Sequence, residues 1–175
     1  ARPLTARCWH SLRRAMAVCP PVDLELSSRA LAKRANWAID RYYTHRLVAT
    51  ARARARLYPE DPPLRLPRRL NLRIFDEVYT APRAGFPSRT AYYEASSARR
   101  VTDAVATPTL ALAAADDPII PPATFAAARF SAAVNLRVEA SGGHMGFIAR
   151  RPTAFGDRRW LDQAVVAWVT GLASA

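Results

Sequence analysis

The stretch PTLALAAADDPIIPP, residues 108–122, constrains the fold more than any other. From Leu110 to Ala115 every residue is apolar, and the run stops abruptly at Asp116-Asp117-Pro118. A strand that alternates apolar and polar residues can face water on one side, whereas one that is apolar throughout must be covered on both. Helices provide that cover in a parallel α/β sheet, and its strands end in polar loops. The neighbouring sequence has the matching order. An apolar run at Ala15–Cys19 is stopped by Pro20-Pro21, which cannot continue a ladder. Residues 122–133 read as an Ala-rich amphipathic helix, VNLRVEA as the next strand, and RRWLDQAVVAWVTGL as a closing helix. In that last helix Trp160, Leu161, Ala164, Val165, Trp168 and Val169 recur at threes and fours and form one apolar face. The expected fold class is α/β, with parallel strands and flanking helices.

A long helical region separates the first two strands. Leu31, Ala35, Ala38, Ile39, Tyr42, Tyr43 and Leu47 predict a helix from Ser27 to about Leu57, capped by Ser27 or Ser28 and ended by Pro59, Pro62 and Pro63. Residues 64–100 read as short helical pieces rich in aromatic residues. His45 reads as a structural residue of the long helix. Asp76 and Glu77 are adjacent and point apart on a helix, so they read as partners for nearby arginines rather than as paired acids.

Composition excludes several classes. A chain of 175 residues, 50% of them apolar, fits one domain with a sizeable core. Its net charge of +12 comes almost wholly from arginine, yet Arg52, Arg54 and Arg56 are two apart and fan around a helix instead of making a stripe. With no interleaved aromatics and no nucleic-acid-binding motif, a nucleic-acid partner is not expected. No apolar run is long enough to span a bilayer and no signal-peptide pattern opens the chain, so a cytoplasmic location is expected. The two cysteines, Cys8 and Cys19, have no metal-ligand spacing, and no metal or cofactor is expected.

One loop concentrates glycine. The chain has six glycines, and Gly142, Gly143 and Gly146 all surround His144 in SGGHMG. Glycine tolerates positive φ and close backbone approach, so the cluster predicts an imidazole held on a tight turn. His144 follows one strand as Asp117 follows the strand before it, and 27 residues separate them. A right-handed crossover brings both loops to the same sheet edge. A carboxylate there would fix the imidazole tautomer and steady its cation while the other ring nitrogen acts as a base.

At this point the residues resemble a known family. PTLALAAADDPIIP is similar to the acid-bearing strand and loop of the α/β-hydrolases, and EASGGHMGF to their histidine loop. AVCPPVDL, FDEVYTAPRAGF and YYEASSA resemble the YheT-like branch, bacterial esterases related to the yeast medium-chain ethyl ester synthases and the abhydrolase-domain lipases of animals. The resemblance runs from about Ala15 to Leu172. It implies Asp117 as the acid, since it directly precedes the Pro of DPIIP, with Asp116 as the alternative, and His144 as the base. The family nucleophile is a Ser in G-x-S-x-G that precedes both partners; the glycines here, at 85, 142, 143, 146, 156 and 171, form no such motif.

The resemblance therefore implies an unmatched leader over residues 1–14 and the C-terminal half of a hydrolase domain over 15–175. A helical cap insertion is expected over about 27–100. It implies a carboxylic ester hydrolase acting on short- or medium-chain acyl esters without a cofactor, its Ser supplied from outside the chain. The alternative is a catalytically inactive truncated hydrolase that serves as a binding or interaction module. The strand at Ala15–Cys19 is expected to present an unpaired apolar edge through which the chain self-associates.

Overall fold

The computed structural model describes residues 12–171. In chain order the elements are β1 (Ala15–Val18), α1 (Leu24–Leu31), α2 (Trp37–Leu57), α3 (Leu72–Phe75), α4 (Ala81–Arg83), α5 (Arg89–Ser96), β2 (Thr109–Ala114), α6 (Ala123–Ala126), β3 (Val134–Glu139) and α7 (Trp160–Thr170). They fall into two compact units. One runs up to Val22 and resumes at Ala98; the other is Asp23–Ser97. The leader expected over residues 1–14 lies mostly outside the described residues, and Cys8 lies wholly outside them.

The first unit is a three-stranded sheet in the order β1-β2-β3. Both pairings are parallel, with Ala15 opposite Thr109 and Thr109 opposite Val134. The apolar run behaves as its composition requires: in β2, Leu112 and Ala114 are wholly buried. Around them pack Cys19, Val22, Ile120, Phe125 and Phe147, with Met16, Leu136, Trp160 and Leu161 at the margin. Burying side chains of this size contributes about 1.5–3 kcal/mol each. Along α7, Trp168 Nε1 donates to the Ala15 carbonyl at 2.7 Å and Arg14 lies 5.3 Å over the Trp168 ring. Gly171 ends this helix in the left-handed region at φ +77°, as a C-terminal glycine commonly does.

Two expectations for this unit need correction. The helix over residues 122–133 is only Ala123–Ala126. Beyond it the chain is held by tertiary hydrogen bonds: Thr102 Oγ1 donates to the Arg129 carbonyl at 2.7 Å, Ser131 N to Thr102 O at 3.1 Å, and Ser131 Oγ to Val105 O at 2.6 Å. These partners outcompete the helix propensity of alanine. On α7 the buried positions are Ala164 and Ala167, whereas Val169 is 66% exposed; the apolar face lies rotated from the expected one.

In the Asp23–Ser97 unit the helix expected from Ser27 to Leu57 is two helices joined by a tight 3₁₀ turn at Arg34–Asn36. Asn36 is buried and its Nδ2 donates to the Ala30 carbonyl at 2.9 Å, which fastens the turn to the end of α1. The cap of α1 is Asp23, whose Oδ1 accepts from Leu26 N at 2.9 Å. Ser27 and Ser28 are buried inside the helix instead, with their hydroxyls donating to the carbonyls of Asp23 and Glu25. From Leu72 to Arg83 the chain is continuously helical, with a π turn at Asp76–Thr80 between α3 and α4. There Asp76 is buried and accepts from Tyr93 Oη at 2.5 Å, while Glu77 lies 3.8 Å from Arg89 Nη1. Among the described residues no helix is long and apolar enough to cross a membrane.

Candidate active site

The carboxyl end of β2 opens directly into Asp116-Asp117. Asp117 turns inward. Its Oδ1 accepts the amides of Ile119 at 2.8 Å and Ile120 at 2.9 Å, and only 1% of its side chain is exposed. Its Oδ2 lies 3.0 Å from His144 Nδ1. A carboxylate only accepts hydrogen bonds, so Nδ1–H is the donor and the neutral ring keeps its lone pair on Nε2. About 28% of the His144 side chain is exposed, which leaves the ring accessible.

The loop that carries His144 continues from β3, whose last carbonyl, that of Glu139, accepts from Ala115 N at 2.7 Å. Asp116 then closes it: Oδ1 accepts the amides of both Gly142 and Gly143 at 2.8 Å. The Gly143 and Gly142 amides hold the Asp116 carboxyl below its ordinary range. The next turn folds back, with Gly146 N and Phe147 N both donating to the Gly142 carbonyl. Two of the glycines have specific reasons. Gly143 sits at φ +57°, and a Cβ on Gly142 would stand 2.5 Å from Phe147 Cδ1. The strain is not confined to glycine, since Met145 at φ +67° and Phe147 at φ +44° also occupy the left-handed region.

Of the three site residues drawn from the sequence, the structure joins Asp117 to His144 and assigns Asp116 to the loop amides. Sequence reasoning missed Cys19. It follows β1 at φ +46° and is 3% exposed, with Sγ 3.9 Å from the Gly143 carbonyl. Burial pushes its thiol up to about 11; the Met145 amide opposes this, and the adjacent Asp117 carboxylate adds to it. Its signal was its place, the last residue before Pro20-Pro21 at a strand's carboxyl end and beside the strand that carries Asp117. Cys19, Asp117 and His144 bring ligand atoms within 4.8 Å of one another, donors of the kinds that zinc accepts. A metal ion there would have to break the bond between Nδ1 and Oδ2 and deprotonate a thiol that burial keeps neutral, so the arrangement is a hydrogen-bonded cluster first.

Two bacterial proteins match the chain over most of its length. It is 30% identical over 168 residues to a putative esterase of Synechocystis sp., covering 89% of this chain and 45% of that protein. It is 29% identical over 160 residues to "Putative esterase YheT" of Escherichia coli, covering 89% of this chain and 46% of that protein. The chain is similar to YheT-like putative esterases over most of its own length. A shorter segment of 50 residues is 48% identical to "Medium-chain fatty acid ethyl ester synthase/esterase 2" of Saccharomyces cerevisiae, 29% of this chain and 11% of that one. The chain spans about half the length of the bacterial relatives, and its parallel three-stranded sheet with flanking helices agrees with part of an α/β-hydrolase fold. No family model matches the chain, and no solved structure matches it significantly.

Proposed function

We propose that this chain supplies the acid and the base of a serine-type carboxylic ester hydrolase acting on short- or medium-chain acyl esters. One observation carries the reading: the 3.0 Å contact between Asp117 Oδ2 and His144 Nδ1. In the proposed reaction His144 Nε2 takes the proton of a serine hydroxyl as its oxygen attacks the ester carbonyl. Asp117 steadies the imidazolium, which then protonates the departing alcohol. Water releases the acid from the acyl-serine by the same relay in reverse. In this reading the serine is supplied from outside residues 1–175. The names of the relatives support an ester as substrate, and that of the yeast protein a medium-chain acyl group.

The test is hydrolysis of p-nitrophenyl butyrate and octanoate by the chain expressed together with the coding sequence upstream of Ala1, which this reading requires to contain G-x-S-x-G. His144→Ala is expected to lower kcat/KM by about a millionfold and Asp117→Asn by about ten thousandfold, while Asp116→Asn retains most activity. An upstream region without that motif, or turnover indifferent to His144→Ala, overturns the reading.

A further inference from the structure

The Asp23–Ser97 unit carries a surface that the hydrolase reading does not use. Trp37, Arg41, His45, Val48 and Arg52 follow one another at intervals of three or four residues and so share one face of α2. With Arg68 and Leu70 from the segment after the helix, they line an open groove of about 810 Å³. Little of α2 is covered: of its 21 residues only Thr44 and Ala51 are buried, and Trp37 and Tyr42 are 67% and 62% exposed.

The charges of the groove are unbalanced. Some arginines of this unit have carboxylates, Arg54 and Arg83 at Asp61 and Arg73 at Glu25. Arg41, Arg52 and Arg68 make no ion pair among the described residues. The one acid on α2, Asp40, is occupied, since its Oδ1 accepts from Leu72 N at 2.9 Å and Thr44 Oγ1 at 3.2 Å. Unpaired guanidinium groups attract anions, exposed Trp and Tyr suit the boundary between water and hydrocarbon, and Val48 and Leu70 give the groove an apolar floor.

We propose that this face of α2 binds an anionic phospholipid surface, with Arg41, Arg52 and Arg68 on headgroup phosphates and Trp37 and Tyr42 in the interfacial layer. The chain adsorbs; no described helix spans. This inference is independent of the ester-hydrolase reading and stands or falls separately.

The experiment is flotation of the full chain with vesicles of phosphatidylcholine alone or with about one-third phosphatidylserine, at low and high salt, with tryptophan emission followed in parallel. Binding is expected only to the anionic vesicles, weakened by salt, with a blue shift that Trp37→Phe removes. The Arg41→Gln/Arg52→Gln/Arg68→Gln variant is expected to lose about a hundredfold in affinity. An equal loss of charge elsewhere, in Arg13→Gln/Arg150→Gln/Arg151→Gln, should cost far less, and matching thermal melts establish that both variants fold. Four outcomes overturn the proposal: no binding to anionic vesicles, equal binding to neutral ones, equal loss in the two triple variants, or a blue shift that persists without Trp37. A fifth is tighter binding to duplex DNA through the same three arginines, which would mark a nucleic-acid surface instead.

Discussion

Asp116 and Asp117 carry the same side chain one residue apart, and the fold gives them different tasks. Asp117 is buried against the Ile119 and Ile120 amides and the imidazole, whereas Asp116 remains exposed and ties down Gly142 and Gly143. The sequence placed both carboxylates at one strand end, but choosing between them needs the direction of the turn after Ala114, which neither periodicity nor spacing encodes. The glycines were more legible, because Gly-Gly before a histidine restricts the backbone whatever surrounds it. Gly142→Ala is expected to displace the buried Phe147 ring and lower the melting temperature by several degrees, with His144 resonances shifting; an unchanged melt and spectrum would refute that contact. Cys19 was half legible: its place before Pro20-Pro21 marked a strand's carboxyl end, but its nearness to Asp117 depends on strand order. With its thiol at about 11 against an ordinary value of 9.0, Cys19 in a Cys8→Ser background should resist a thiol reagent at pH 8 until the chain unfolds. The sign of the linkage follows: the raised value means that this contribution to stability holds below about pH 9 and is lost as pH climbs towards 11. Rapid labelling of the folded chain at pH 8 would contradict it.

Among the elements, the strands were the easiest to read and the helices of the Asp23–Ser97 unit the hardest. A run such as Leu110–Ala115 has few alternatives to a covered strand. The apolar spacing from Leu31 to Leu47 continues straight through the break at Arg34–Asn36, so periodicity alone joined α1 to α2. The break is made by Asn36 reaching back to the Ala30 carbonyl, a side-chain contact that no helical pattern announces. Asp76 shows the same limit. Beside Glu77 it resembled a surface acid, yet the π turn buries it beneath the Tyr93 hydroxyl. Burial drives the Tyr93 hydroxyl upward, with Asp76 adding to the shift. It therefore stays protonated and able to donate. Tyr93→Phe leaves a buried carboxylate without this donor and is expected to destabilise the chain by about 1–3 kcal/mol in urea unfolding; a loss of under a few tenths would show that water reaches Asp76.

For the whole molecule, the α/β class was readable because three strand-like segments alternate with helical ones. The pairing of two separate loops then followed from parallel topology. The Asp23–Ser97 unit begins at a cap that the periodicity passed over, so its first boundary was not legible in the apolar spacing. Among the described residues, strand order leaves β1 hydrogen-bonded to β2 alone, and an apolar edge of that kind favours association. The chain by itself is expected to run larger than a monomer in light scattering, and a monodisperse monomer with a cooperative melt would argue otherwise. The pairing of Asp117 with His144 turns on which nitrogen of the imidazole holds the proton. Long-range proton–nitrogen NMR of the chain with a neutral imidazole measures this directly. The Nδ1–H form is expected in the native chain and in Asp116→Asn, and its loss in Asp117→Asn. An Nε2–H ring, or a tautomer indifferent to Asp117, would contradict it.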